Sequence, residues 1–341
     1  MPSGSPPVEA GVGLKTPGRW SRRAMLAAAL GALLPARAQA QAFPSRSPRL
    51  IVPFPAGGPA DILARIGAEQ VSARLGQQIV VDSRPGAGGN LAGELVARSE
   101  ADGYTLLVAG QSILAINKAL YRSLSYDPAT DFAFVGMLGV MANVLLVNPR
   151  TLPVHSVAEL IALAKTRPGE ISYGSNGPGS LTHLTMEIMA RESGTKFLHV
   201  PYRGSAPLMT DLLGGRLDMC FTGASLALPS IQSGQLRALA VSTRTPSRYS
   251  PDIPTLVESG FPSLDAPTWF AVVVRAATPT PIVERLRKEF NEVIASKGYA
   301  RSLETHAIET ELVPPDTADA FLARERALWG DAVKAAGVVA D

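Results

Sequence analysis

Glycine-rich junctions, each placed where a strand pattern runs into a helix pattern, constrain the fold of this chain more than any other feature. Three stand out: Val52-Pro-Phe-Pro-Ala-Gly-Gly-Pro-Ala-Asp61, Tyr173-Gly-Ser-Asn-Gly-Pro-Gly-Ser-Leu-Thr-His183 and Val200-Pro-Tyr-Arg-Gly-Ser-Ala-Pro207. Repeated strand–turn–helix units point to layered α/β architecture. Each junction also sets bare backbone N–H groups and small hydroxyls at the positive end of a helix, which holds an anion without a buried counter-charge.

The rest of the pattern agrees. Arg49–Pro53, Gln78–Asp82 and Tyr104–Ala109 read as short strands, and Ala60–Leu75 reads as a helix with Ile62, Leu63, Ile66 and Leu75 inward. Arg84-Pro-Gly-Ala-Gly-Gly-Asn90 turns into a helix through Arg98. Ser156-Val-Ala-Glu159 is a capping box, and Leu181–Ser193, Ala206–Leu213, Pro281–Ser296 and Thr317–Ala336 read as further helices. Two apolar stretches, Asn143–Asn148 and Trp269–Val274, are candidate crossings between domains. If both cross, residues 44–143 plus 270–341 form a discontinuous first lobe and 144–269 an inserted second one. Paired crossings make a hinge beside a cleft.

Residues 1–40 read as a cleaved signal peptide. Ser21-Arg22-Arg23-Ala24-Met25-Leu26 has the twin-arginine pattern, Ala24 to Leu34 is an apolar run of 11 residues, and Ala38-Gln39-Ala40 is a small-x-small cleavage site. The segment carries five of the 32 Lys+Arg and one of the 29 acids, leaving 27 bases and 28 acids, a net charge of −1. That removes the compositional case for nucleic acid as a partner. The 14 residues from Phe134 to Val147 are too few to span a membrane and read as core strands, so the mature chain is expected not to be membrane-inserted. Its remaining length of 301 residues fits two domains. Cys220, the only cysteine, excludes an intramolecular disulfide and sits in a buried-strand pattern. A monomer is the default expectation.

Nucleotide and hydrolase readings fail on spacing. Gly86-Ala-Gly-Gly-Asn-Leu-Ala-Gly93 misses G-x-G-x-x-G, and no G-x-x-x-x-G-K-[ST] occurs. No cofactor is expected. Ser180 and His183 lie three apart, but Gly174-Ser-Asn-Gly177 is not G-x-S-x-G. Ser180 reads as an N-cap, with His183 pointing either into a cleft or onto a neighbouring strand. His155, His199 and His306 show no metal spacing.

These motifs, with Asp102-Gly-Tyr-Thr-Leu106, Tyr126-Asp-Pro128, Asp211-Leu-Leu-Gly-Gly215, Leu236-Arg-Ala-Leu-Ala240 and Pro251-Asp-Ile-Pro-Thr-Leu-Val-Glu-Ser-Gly260, resemble in order the Bug/TctC family. Its members are the extracytoplasmic solute receptors of tripartite tricarboxylate transporters. The resemblance implies a two-lobed α/β periplasmic-binding-protein fold of the Venus-flytrap, type II-like kind, with two crossing strands as hinge. It implies a non-enzymatic, periplasmic receptor for a small carboxylate: a di- or tricarboxylate, an acidic amino acid or an aromatic acid. It also implies membrane permease subunits as partners, and a module signalling to a membrane sensor is the alternative. A Ser/His hydrolase is the third reading.

Carried over by position, Phe54, Ala56, Gly57, Gly58 and Asp61 would line the first-lobe side. Ser175, Asn176, Gly177, Ser180 and His183 would form the second-lobe anion pocket. Tyr202, Gly204, Thr222 and Ala224 would close the wall, with Gln111 and Ser112 adding from the first lobe. The glycines have a second reading, as turn residues at positive φ. Asp61, which would repel a bound carboxylate, is expected to cap its helix or act through water. The chain departs from the family pattern at Ala271, at Arg275-Ala276 and at Cys220.

Overall fold

The computed structural model describes residues 43–340, so the expected leader and its twin-arginine pattern lie outside the described residues. The first apolar runs become β1 (Arg49–Val52), β2 (Val80–Ser83) and β3 (Thr105–Gly110), with helices α1 (Pro59–Leu75) and α2 (Asn90–Ala97) between them. After β3 a π-helical turn, Ser112–Ile116, runs into the short α3 (Asn117–Leu120), and β4 (Phe132–Met141) follows. The second half begins with β5 (Asn143–Val147) and α4 (Val157–Thr166). It continues through β6 (Ser172–Ser175), α5 (Leu181–Ser193), β7 (Leu198–Pro201), α6 (Ser205–Gly214), β8 (Met219–Gly223), α7 (Ala224–Gln232) and β9 (Arg237–Val241). The chain ends with β10 (Thr268–Arg275), α8 (Thr280–Ile294), α9 (Lys297–Leu303) and α10 (Pro315–Ala336).

Two five-stranded sheets result, ordered β2-β1-β3-β10-β4 and β7-β6-β8-β5-β9. In the first, β1 runs parallel to β2 and β3, while β10 runs antiparallel to β3 and β4. In the second, β6 runs parallel to β7 and β8, while β5 runs antiparallel to β8 and β9. Each sheet thus has the same plan: a parallel trio with its earliest strand central, then one reversed strand. The parallel links need crossovers, which α1, α2, α5 and α6 supply. The molecule is a two-lobed α/β protein.

The chain leaves the first sheet at Ala142, the single residue between β4 and β5, and returns to it through 242–267. The crossings are tied together. Asn143 donates through its side-chain amide to the Ala266 carbonyl at 3.2 Å and meets the Thr268 hydroxyl at 3.1 Å. The Asn143 N–H donates to Ser242 Oγ at 3.0 Å.

Helix α10 lies against both lobes. Ala318 and Leu322 pack with the first sheet's core residues, while Trp329, Ala332 and Val333 pack with Leu145, Tyr173 and Leu184 of the second. Between these patches Glu325 accepts the indole N–H of Trp269 at 2.9 Å and of Trp329 at 3.2 Å.

Helix α5 falls on the predicted span, with Ser180 Oγ accepting the His183 N–H and Gly194 in the left-handed region at its end. At α4, Ser156 Oγ accepts the Glu159 N–H at 3.2 Å, but the Glu159 carboxylate reaches back to the His155 N–H at 2.8 Å, one residue before the cap. On α1 the inner face differs from the expected one. Leu63 and Leu75 are buried as expected, whereas Ile62 and Ile66 are only half-buried and Ala60, Ala64, Gly67 and Ala68 are buried. The small residues bring the helix against the sheet, so a Cβ on Gly67 would stand 3.2 Å from Leu138 Cδ2. Cys220 is fully buried opposite Leu146, and burial pushes its thiol pKa up. The Phe134–Val147 run is the two strands β4 and β5, and among the described residues no helix is long and apolar enough to cross a membrane.

Candidate ligand-binding cleft

In open α/β sheets ligands bind beyond the carboxyl ends of the parallel strands, where helix N-termini converge. Both lobes present those ends to one cavity of about 330 Å³. Phe54 follows β1, Gly110 ends β3 with Gln111 and Ser112 after it, Asn176 follows β6, and Gly223 ends β8; all line it. Its volume suits a small organic molecule. No Asp, Glu, Lys, Arg or His side chain is among the lining residues, whose polar members are neutral amides and hydroxyls.

Several of those groups are already committed. Gln111 donates to the Pro267 carbonyl and accepts the Trp269 N–H at 3.2 Å, so it braces the return crossing. Asn117 donates to the Gly88 carbonyl at 3.2 Å and to Asn90 Oδ1 at 2.6 Å, fixing the Gly86–Asn90 turn. Phe54 and Phe270 meet edge to face, ring centroids 6.2 Å apart, as an apolar wall. Other donors stay available. Asn176 accepts the Ser205 hydroxyl at Oδ1, and its Nδ2 has no protein acceptor among the described residues. The same holds for the N–H groups of Leu181 and Thr182 in the first turn of α5.

The Gly177–Ser180 loop aims that turn. Gly177 and Gly179 adopt φ of +116° and +72°, a region L side chains avoid. Ser180 Oγ donates to the Gly177 carbonyl at 2.7 Å, so the side chain closes the loop as well as capping the helix. His183 stands behind the loop, 5% exposed, where its Nδ1 accepts the Gly179 N–H at 3.0 Å. Its ring therefore neither lines the cavity nor bonds the Ser180 hydroxyl. Burial depresses the His183 pKa.

Five of the sequence-derived site residues line the cavity: Phe54, Gln111, Ser112, Asn176 and Ser180. The others stand elsewhere. Ser175 is fully buried beneath the loop, held to Gly177 and His199; Gly177 shapes the turn above it. Thr222 and Ala224 are buried on either side of Gly223, and the Ala224 N–H is given to the Ala142 carbonyl. Tyr202 donates its hydroxyl to Asp211 at 3.0 Å, and Gly204 precedes α6. Ala56, Gly57 and Gly58 continue outward from Phe54, outside the lining. Asp61 spans this turn rather than capping α1: Oδ2 accepts the Gly57 N–H and Arg65 Nε, both at 2.9 Å, while Oδ1 is buried without a partner. Burial opposes its charge, but those hydrogen bonds from Arg65 and Gly57 hold the carboxyl below its usual range.

The cavity also takes in residues that the pattern did not single out, among them Gly88, Asn117, Tyr121, Asn143, Gly179 and Thr268. Gly88 and Gly179 belong to recognised glycine turns, which is a usable signal. Asn117 and Tyr121 owe their place to the π-helical turn, which no spacing announces.

A two-lobed fold with an uncharged cavity at its hinge defines a binding protein of the periplasmic receptor class. The chain belongs to the TctC family, the tripartite tricarboxylate transporter family receptors, whose sequence profile matches residues 63–338. Protein BugT of Bordetella pertussis is 37% identical over 299 residues, covering 87% of this chain and 91% of BugT. The solved structure of R. palustris Rpa4515 with adipate superposes with a TM-score of 0.77 at 36% identity, covering 87% of this chain and 99% of that one. MatC from Rhodopseudomonas palustris with bound malate gives a TM-score of 0.73 at 26% identity, with coverage of 85% and 100%.

Proposed function

We propose that this protein is an exported, non-catalytic receptor that captures a small carboxylate between its lobes for uptake through a tripartite-type transporter. The observation that carries this reading is the cavity itself, where free N–H groups of α5 and the Asn176 amide face uncharged surroundings. Such dipoles stabilise an anion in a site with little water, and a charged side chain is not needed. The adipate and malate bound by its relatives fit the same chemistry.

In this reading Phe54, Gln111, Ser112, Asn176 and Ser180 border the ligand directly. Ala56, Gly57, Gly58, Asp61, Tyr202 and Gly204 approach it only as the lobes close, and Ser175, Gly177, His183, Thr222 and Ala224 support the walls. The lobes divide at 143/144 and 269/270, with α10 spanning them, and ligand binding favours the closed arrangement. Residues 1–40 direct export to the periplasm by the twin-arginine route. The mature protein acts as a monomer beside membrane permease subunits.

Thermal unfolding of the mature protein against a panel of mono-, di- and tricarboxylates, acidic amino acids, aromatic acids and neutral solutes tests this. A carboxylate at 100 times its dissociation constant should stabilise the fold by about 2.7 kcal/mol. Stabilisation by neutral solutes alone would contradict the proposal.

A further inference from the structure

Two histidines far apart in sequence meet beneath the Gly177–Ser180 loop. Strands β6 and β7 pair in parallel with Tyr173 opposite His199, and His183 reaches the same face from the first turn of α5. The imidazoles of His183 and His199 stack 3.9 Å apart with planes 9° from parallel, and Tyr173 stacks on His199 at 4.9 Å. Each histidine holds the loop by a different route. His183 Nδ1 accepts the Gly179 N–H at 3.0 Å. His199 Nε2 bonds Ser175 Oγ at 2.7 Å, and that oxygen in turn accepts the Gly177 N–H at 3.1 Å.

We propose that His183 and His199 are positioning residues for the anion site, holding the loop in receiving geometry while both are neutral and releasing it when His183 gains a proton. The proposal rests on reading that loop as the carboxylate end of the cleft. Its chemistry follows from the bonds. An imidazole that accepts the Gly179 N–H needs its Nδ1 lone pair, so protonation there turns an acceptor into a donor facing another donor. Face-to-face rings at 3.9 Å cannot both carry charge cheaply. The titratable groups that face the pair are Tyr173 from β6 and Glu187 from α5. Glu187 Oε1 accepts the Tyr173 hydroxyl at 2.6 Å and stands 3.8 Å from His183 Nε2. Glu187 favours the charged form of His199. Burial first, and then the neighbouring His183, outweigh it and bring His199 down to about 4. The folded protein therefore takes up its proton later than the unfolded chain does. Stability should fall as pH drops from about 6.5 toward about 4.

The test reads the ligand-free mature protein, labelled with nitrogen-15 in histidine and in the backbone, by NMR across pH 7.5 to 4. His183 is expected as the neutral tautomer with its proton on Nε2. The Gly179 amide protection factor should fall about two- to tenfold, the worth of one hydrogen bond, in step with protonation of His183. His183→Asn, whose side-chain oxygen can take the same N–H but does not titrate, should flatten that pH dependence, and His183→Leu should remove the protection at every pH. A His183 proton on Nδ1 at neutral pH, or Gly179 protection that ignores the titration, would overturn the proposal. This readout needs no ligand, so its failure strikes the histidine support, whereas a failed carboxylate panel strikes the reading of the site.

Discussion

Replacing Leu181 with proline should weaken carboxylate binding by about 10- to 100-fold, because a hydrogen bond to a charged group contributes about 1.5–3 kcal/mol. Leu181 is the first residue of α5, and its N–H meets no acceptor among the described residues. Proline at that position deletes the N–H and little else, since its fixed φ suits the start of a helix. Ser180 before it is already extended, at ψ 156°, which is what a following proline demands. Leu181 also lends a partly buried side chain to the second lobe's core, so Leu181→Ala is the proper comparison. Titration calorimetry on both variants separates the two contributions. Near-equal affinities would mean that this N–H does not hold the ligand.

A second large effect is expected at Gly179. Its φ of +72° and its position against the other lobe both exclude a side chain: a Cβ would stand 2.5 Å from Leu120 Cδ2. The left-handed conformation alone costs an L-residue about 1–2 kcal/mol, and displacing Leu120 opens a contact between the two sides of the cavity. Gly179→Ala should therefore reduce affinity about 5- to 30-fold by that strain alone. The fold should survive, because the strain falls on a loop rather than on either sheet. Circular dichroism and calorimetry on the same sample check both halves of this expectation. Wild-type affinity would show that the loop adapts without cost.

Much of the fold was written locally. The span of α5 is set by a serine cap and a terminal glycine, and the strands by short apolar runs between turn residues. The α1 face was misread because Ile62 and Ile66 outrank alanine in hydrophobicity, while close packing chose the small residues instead. The site was legible as chemistry but less so as geometry. Ser180 could be read as a cap from its place before a helix, and the structure bears that out. The polar bracing by Gln111 and Asn143 depends on where the two crossings lie side by side, a relation between residues more than 100 positions apart. The histidine stack is similar: residues 183 and 199 have no spacing signal, and only the register of β6 on β7 brings them together.

The proposed cleft recognises the negative charge of a carboxylate through neutral donors. The most direct test is calorimetric titration of the mature protein with the tightest-binding acid from the unfolding panel and with its amide counterpart on the same carbon skeleton. The amide is expected to bind at least about tenfold more weakly, because it brings an extra donor to the donors at the start of α5 and lacks the charge they stabilise. Equal affinity for acid and amide would contradict it, because the cavity would then be reading shape alone.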